Sequence, residues 1–229
     1  FFAIFIFFLI ITIPIKKIFF YKIAEYKFNI FDYCTVNLLF FSNTLLLLAI
    51  LKINISTIIL IVSALYILSI LLFHSHIKEK IFQFENLFFF IFFWLILFIL
   101  GVNIASNLTL GWDAQTIWFP RAINFYNELN FTEISQHARM PEYPFFGSLS
   151  WAFFWKLFYF DKEYYEKIFY LLIFLVSVFN ISDLLKISMI KKIFFSLILI
   201  LLTYDYWHFR GFQEILIFSF LLIISKYLY

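Results

Sequence analysis

Charged side chains are costly at the edge of a hydrocarbon run, and this 229-residue chain places two groups of them there. The run "LFFFIFFWLILFILGVNIA" is followed at once by "TLGWDAQTIWFPRAINFY", which carries Asp113 and, about two helical turns later, Arg121. Nearer the C-terminus, "YWHFRGFQEILIFSFLL" carries His208, Arg210 and Glu214 at the start of another apolar run. Carboxylates can take up a proton and arginines can hold an anion, so each group combines two elements of polar chemistry. A plainer reading stands beside this one. Asp113 and Glu214 are also simple first-turn acids, favoured there by the helix macrodipole. Between the two groups, "MPEYPFFG" sets two prolines, Glu142 and Tyr143 in a rigid turn. Glu142 either joins the acids or is a solvated loop carboxylate.

The elements that hold these residues must be membrane helices. The chain is 65% hydrophobic with a mean hydropathy of +0.97, more apolar surface than a soluble domain can bury. A span needs about 20 apolar residues. The sequence predicts an all-α, polytopic transmembrane bundle of seven spans: Phe1–Phe20, Asp32–Leu51, Ile53–Phe73, Leu87–Ala105, Tyr165–Leu185, Ile193–Trp207 and Phe212–Tyr229. It divides into N-terminal transmembrane helices over 1–86 and a core over 87–229. The core contains a long external loop, 106–164, bearing juxtamembrane and interfacial helices. Within that loop, "FFGSLSWAFFWKLFYF" (Phe145–Phe160) would cover only about 24 Å as a helix, short of a hydrocarbon core of about 30 Å. With Trp151, Trp155 and Lys156 it reads as a helix lying in the headgroup interface. The basic connections agree. Lys16, Lys17, Lys22 and Lys27, then Lys78 and Lys80, then Lys186, Lys191 and Lys192 all fall on one side, the cytoplasmic one, if Phe145–Phe160 does not cross. The long loop and "YWHFRGFQE" then lie outside.

Other features carry less. A net charge of +3 gives no reason to expect nucleic acid as a partner. The single cysteine, Cys34, excludes an internal disulfide. The abundance of Phe, Ile, Lys, Asn and Tyr is what AT-rich coding produces, so aromatic stripes are not read as cofactor boxes. His74 and His76 have metal-like spacing, but two histidines do not fill a zinc shell. Asp161, Lys162, Glu163, Glu166 and Lys167 read as a solvated mixed-charge face. The Asn-x-Ser/Thr triplets at Asn54, Asn107, Asn130 and Asn180 are the yield of chance in an Asn-rich chain.

Over Leu87–Tyr229 the chain resembles the GT-C superfamily of integral-membrane glycosyltransferases, which includes protein O-mannosyltransferases and bacterial aminoarabinose transferases. "GWDAQTIWFPRAINFY" looks like the family's first external loop, with an acid after a span and an amphipathic helix next. "PEYPFFGSLSW" looks like its proline- and tyrosine-containing turn before an interfacial helix. "FRGFQEILIFSF" looks like its short second external loop, often written Gly-Tyr-Ala-Asp. The chain departs from the pattern in three places. Its second acid is Glu214 rather than Asp. Met140 stands where a histidine is common, with His137 three residues earlier. Three spans precede the matching region where many members have one.

The resemblance implies a sugar donor carried on a polyprenyl phosphate, an acceptor hydroxyl or amine on a lipid, glycan or protein, and transfer with inversion. It places the active site on the external, periplasmic face of a bacterial inner membrane. Asp113 is then the candidate general base, and Arg121 and Arg210, with His208, would hold the leaving phosphate. Glu214 would orient the acceptor, bind a divalent cation or hold Arg210; Glu142 and Tyr143 would line the substrate side. The chain reads as an N-terminal fragment expected to be inactive alone, since the family's C-terminal half does not follow. Two other classes compete: a transporter or flippase for a lipid-linked or small solute, and a non-catalytic membrane subunit. A transporter should carry its polar groups at mid-depth on broken helices.

Overall fold

The computed structural model describes residues 29–77, 84–107, 109–137, 139–159, 164–185 and 187–228. These residues are helical, with no strand among them. Helix α1 (Ile30–Ile50) starts at a capping box. The Asn29 side chain accepts from the Asp32 amide at 2.8 Å and the Asp32 carboxylate accepts from the Asn29 amide at 3.0 Å. Helices α2 (Ile55–Ile77) and α3 (Phe84–Ser106) follow. The long loop then forms a π-helical turn (Ala114–Trp118) and three short helices: α4 (Phe119–Tyr126), α5 (Phe131–His137) and α6 (Phe146–Phe158). The bundle resumes with α7 (Tyr164–Leu184), α8 (Met189–Thr203) and α9 (Glu214–Leu228).

Helix α7 is the central post. It packs on α9, α3, α1, α8 and α6, and every residue from Tyr165 to Asn180 is buried. Aromatic rings fill the space around it. Phe31 meets Phe89 at 5.3 Å and Phe179 at 5.4 Å, and Phe169 meets Phe154 at 4.9 Å. Such edge-on and tilted pairs contribute about 0.5–1.5 kcal/mol each beyond their burial.

One polar knot fixes the helix directions. Lys226 donates to Asp32 at 2.6 Å and also to Asn180, whose amide donates to Thr35 at 2.9 Å. Tyr227 donates to Asp32 at 2.8 Å. Asp32 opens α1, whereas Asn180 and Lys226 lie late in α7 and α9, so α1 runs antiparallel to both. Phe31 stacks near the start of α3, which therefore runs with α1. The loop segments gather at the opposite end of the bundle.

Three helices are long and apolar enough to cross a membrane among the described residues: Ile30–Ile50, Leu87–Ser106 and Tyr164–Leu184. They fall on three of the seven predicted spans. Helix α2 overlaps the span predicted at Ile53–Phe73, with Ile55–Leu68 as its described apolar stretch. The one predicted at Ile193–Trp207 is shifted: α8 takes in Lys191 and Lys192 and ends at Thr203. Lys192 pairs with Asp183 at the end of α7, which draws it into the helix. Asp205 then accepts from the Trp207 amide at 3.0 Å and turns the chain into a 3₁₀ segment, Tyr206–Phe209. The predicted span Phe1–Phe20 and the lysines at 16, 17, 22, 27, 78, 80 and 186 lie outside the described residues, as do the side chains of His74 and His76.

Helix α6 differs from its expected setting. Phe146 through Trp155 are all buried, with Phe153 against Phe41 of α1 at 5.2 Å. The helix is wedged among α4, α7, α1 and α2 rather than lying with one face outward. Trp151 is fully buried, and Lys156 pairs with Glu128 at 2.8 Å. With Trp155 buried as well, the signals read as headgroup anchors are therefore two core residues and an ion-pair partner.

Removing one partner from a fully buried ion pair leaves an uncompensated charge. Lys226→Met should therefore destabilise the detergent-solubilised protein by about 3–5 kcal/mol. The double variant Asp32→Leu/Lys226→Met should recover most of that loss in thermal unfolding.

Candidate functional site

The two loops singled out by their acids touch. The Gly111 amide donates to the Arg210 carbonyl at 2.9 Å. A Cβ at Gly111 would fall 2.2 Å from the Phe212 ring, and one at Gly211, whose φ is +88°, would fall 2.8 Å from the Ala114 Cβ. Only glycine permits both the left-handed backbone and this approach. The contact places Asp113 two residues from Gly111 and Glu214 four residues from Arg210.

Asp113 occupies the position before the π-helical turn, but it makes no side-chain cap. It is half-buried and pairs with no cation among the described residues. It thus stands in the first helical turn, where the macrodipole favours an acid without any side-chain cap. Glu214 is exposed in the first turn of α9, where the macrodipole favours it. His208 is exposed within the 3₁₀ segment. Arg210 lies over the exposed ring of Trp207, 4.1 Å from its centroid, and makes a long bond of 3.4 Å to the Leu110 carbonyl. Its Nε is buried without a partner.

Arg121 is elsewhere. It is 2% exposed and donates to the carbonyls of Tyr143 at 3.2 Å, Arg139 at 2.7 Å and Met140. Its guanidinium also lies over the rings of Trp118 and Phe145. Burial pushes its pKa down, and the nearby Glu142 carboxylate opposes that shift. Three carbonyls occupy the fork that the sequence assigned to a phosphate. Arg121 shapes the "RMPEYP" turn, including Met140 with its left-handed φ of 56°. Tyr143 stacks on Trp118 at 5.7 Å, while Glu142 stays exposed.

Beneath the junction sit residues that the sequence reading treated as a solvated face. Glu166 and Lys167 are both fully buried in the first turn of α7. Lys167 donates to the carbonyls of Asn107 and Thr109 at 3.2 and 3.1 Å, which anchors the approach to Gly111. Gln213 donates to the Tyr170 hydroxyl at 2.7 Å, which anchors the approach to Glu214. Neither residue type nor spacing announces these roles. Arg139 was also overlooked. It lies over the Trp112 ring, 5.6 Å from its centroid, and so joins the "RMPEYP" turn to the residue before Asp113.

Two apolar grooves adjoin the site and share Leu46, Pro144 and Phe146. One, of about 350 Å³, runs between α1 and α9 past Leu39, Leu216, Phe220 and Ile224. The other, of about 370 Å³, opens beside Glu142 and Tyr143. Among the described residues no three His, Cys, Asp or Glu side chains gather into a metal site. In comparisons with protein-family models, curated proteins and solved structures, the chain matches none.

The loop has a second anchor at Glu128, whose carboxylate accepts from Lys156 and from the hydroxyl and amide of Ser56. Burial pushes its pKa up, but the bonds from Lys156 and Ser56 outweigh burial and leave it below the ordinary carboxylate value. A depressed pKa stabilises the fold above the unfolded value of about 4.3 and ceases to do so as pH falls through the folded value. Protease cleavage near Asn127–Asn130 should therefore rise below about pH 4, and Glu128→Gln should bring that susceptibility to neutral pH. Separately, Arg121→Lys should loosen the 139–143 turn, because one ammonium lacks the planar fork. Hydrogen exchange of the Tyr143 amide, which bonds to the Met140 carbonyl, would report it.

Proposed function

We propose that this chain belongs to a GT-C-type membrane glycosyltransferase. It transfers a sugar from a polyprenyl-phosphate carrier to an acceptor hydroxyl or amine at the external face of a bacterial inner membrane. One observation carries the reading. The three segments on which the resemblance rests, spread over about a hundred residues of sequence, meet at one end of the bundle. There Asp113 and Arg210 form no ion pair among the described residues.

The chemistry follows from those groups. The acceptor oxygen or nitrogen forms a bond to the anomeric carbon while the carbon–oxygen bond to the phosphate breaks. The bonding pair leaves with the lipid phosphate, and attack from the opposite side inverts the centre. Asp113 receives the acceptor's proton. Arg210 faces the departing phosphate, since Arg121 is committed to the turn. Glu214 and His208, both exposed beside the junction, address the acceptor. The groove between α1 and α9 suits the carrier's isoprenoid chain.

A transporter reading is less favoured. The buried Asp32–Lys226–Asn180 group lies within about five residues of its helix ends, at the end away from the loops, not at mid-depth on broken helices.

In the full-length protein, Asp113→Asn should lower transfer of radiolabelled sugar from polyprenyl-phosphate donors by roughly 10²–10⁴-fold while the protein still folds and inserts. Transfer at the wild-type rate would remove Asp113 from the mechanism.

A further inference from the structure

Buried serines in this fold give their hydroxyl to a backbone carbonyl, with one exception among the described residues. Ser148, Ser150, Ser177, Ser182, Ser196 and Ser219 are fully buried, and each donates to such a carbonyl. Ser42 of α1 is 5% exposed, and its hydroxyl has no hydrogen-bond partner. It lines the groove of about 350 Å³ between α1 and α9. The two amides of that lining are engaged, Gln213 with the Tyr170 hydroxyl and Asn43 with the Leu39 carbonyl. The other lining residues are apolar, and none is charged. One hydroxyl among hydrocarbon walls does not hold a water, which needs several polar partners. A buried polar group left unmet is costly, so Ser42 calls for an oxygen from outside the chain.

We infer that this groove is a site for a neutral, lipid-soluble carbonyl compound of the quinone class, with Ser42 donating to a carbonyl oxygen. The uncharged lining suits a ligand without charge, and ligand sites are typically apolar with a few placed polar groups. Depth sets this ligand apart from a phospholipid or a lipid phosphate. Helix α1 is about 31 Å long, and Ser42 stands about 12 Å from its loop end and about 18 Å from the other. In a hydrocarbon layer of about 30 Å that is the interior, below any ester or phosphate. A quinone carries its carbonyls on an apolar ring that can sit at that depth. A carbonyl also accepts without bringing a hydrogen of its own, as an alcohol would. Phe146 and Phe220, with centroids 6.4 Å apart, both line the groove and offer rings against which a flat ligand packs. An isoprenoid chain alone leaves Ser42 unmet, so this site goes beyond the use of the groove given above. A bound quinone would exclude such a chain.

The full chain in detergent would be unfolded thermally with a decyl-substituted benzoquinone, with decylbenzene and with neither, at matched mole fractions in the micelle. The quinone should raise the unfolding temperature as its concentration rises, and more than decylbenzene does. Ser42→Ala removes no internal hydrogen bond, so without ligand it should unfold at the wild-type temperature or above. It should bind the quinone roughly three- to tenfold more weakly, at the level of decylbenzene. Decylbenzene binding itself should not change. Ile217→Trp, at an exposed position of the groove wall, should weaken both ligands. Equal effects of the two ligands on the wild type, or a preference for quinone that survives in Ser42→Ala, would overturn the carbonyl contact. No ligand-dependent shift, or binding untouched by Ile217→Trp, would overturn the groove as the site. No sugar donor is present and no turnover is measured, so failure here leaves the role of Asp113 standing, and loss of that role leaves this site.

Discussion

The hydrogen bond from the Gly111 amide to the Arg210 carbonyl is the contact on which the candidate site depends. It joins backbone segments that follow α3 and precede α9, nearly a hundred residues apart. Two glycines make it possible, one by admitting the Phe212 ring and one by taking a left-handed turn against Ala114. Everything around the junction restrains one side or the other. Lys167 holds the strand of loop leading to Gly111, and Tyr170 holds Gln213 beyond Gly211. Both restraints come from the first two turns of α7, the most buried helix.

Charge is distributed unevenly over the fold. Asp32 pairs with Lys226 and Asp183 with Lys192 in the bundle, and Glu128 with Lys156 at the loop, whereas the buried Lys167 is held by backbone carbonyls and the buried Glu166 enters no ion pair among the described residues. At the loop junction Asp113, Arg210 and Glu214 form no ion pair among the described residues. Their positions are set by backbone contacts rather than by one another.

The helices long and apolar enough to cross, Ile30–Ile50, Leu87–Ser106 and Tyr164–Leu184, were legible because apolar length is a direct property of sequence. The sequence put both acidic loops on one predicted side, but their contact appears only in the fold, through the Gly111–Arg210 bond. Arg121 was misread because its type suits a phosphate, whereas its neighbours turned out to be three backbone carbonyls from a turn about 20 residues later. Such carbonyls leave no trace in composition. Glu166 and Lys167 were misread for a related reason. Adjacent opposite charges next to a loop look solvated, and only tertiary packing shows that both are enclosed. Helix α6 has too few residues to cross, which was read correctly, but its burial depends on partners contributed by α1, α4 and α7.

Helix α8 has a further consequence. Its 15 residues run from a Ser188 cap to Tyr204 and span about 22 Å, against a hydrocarbon thickness of about 30 Å. It is thus shorter than the three helices that are long and apolar enough to cross, and by length alone it does not carry Asp205–Arg210 across a hydrocarbon layer. The second side of the junction is positioned instead by what its flanks pack on in α7: Phe209 on the Phe174 ring at 5.9 Å and Gln213 on the Tyr170 hydroxyl.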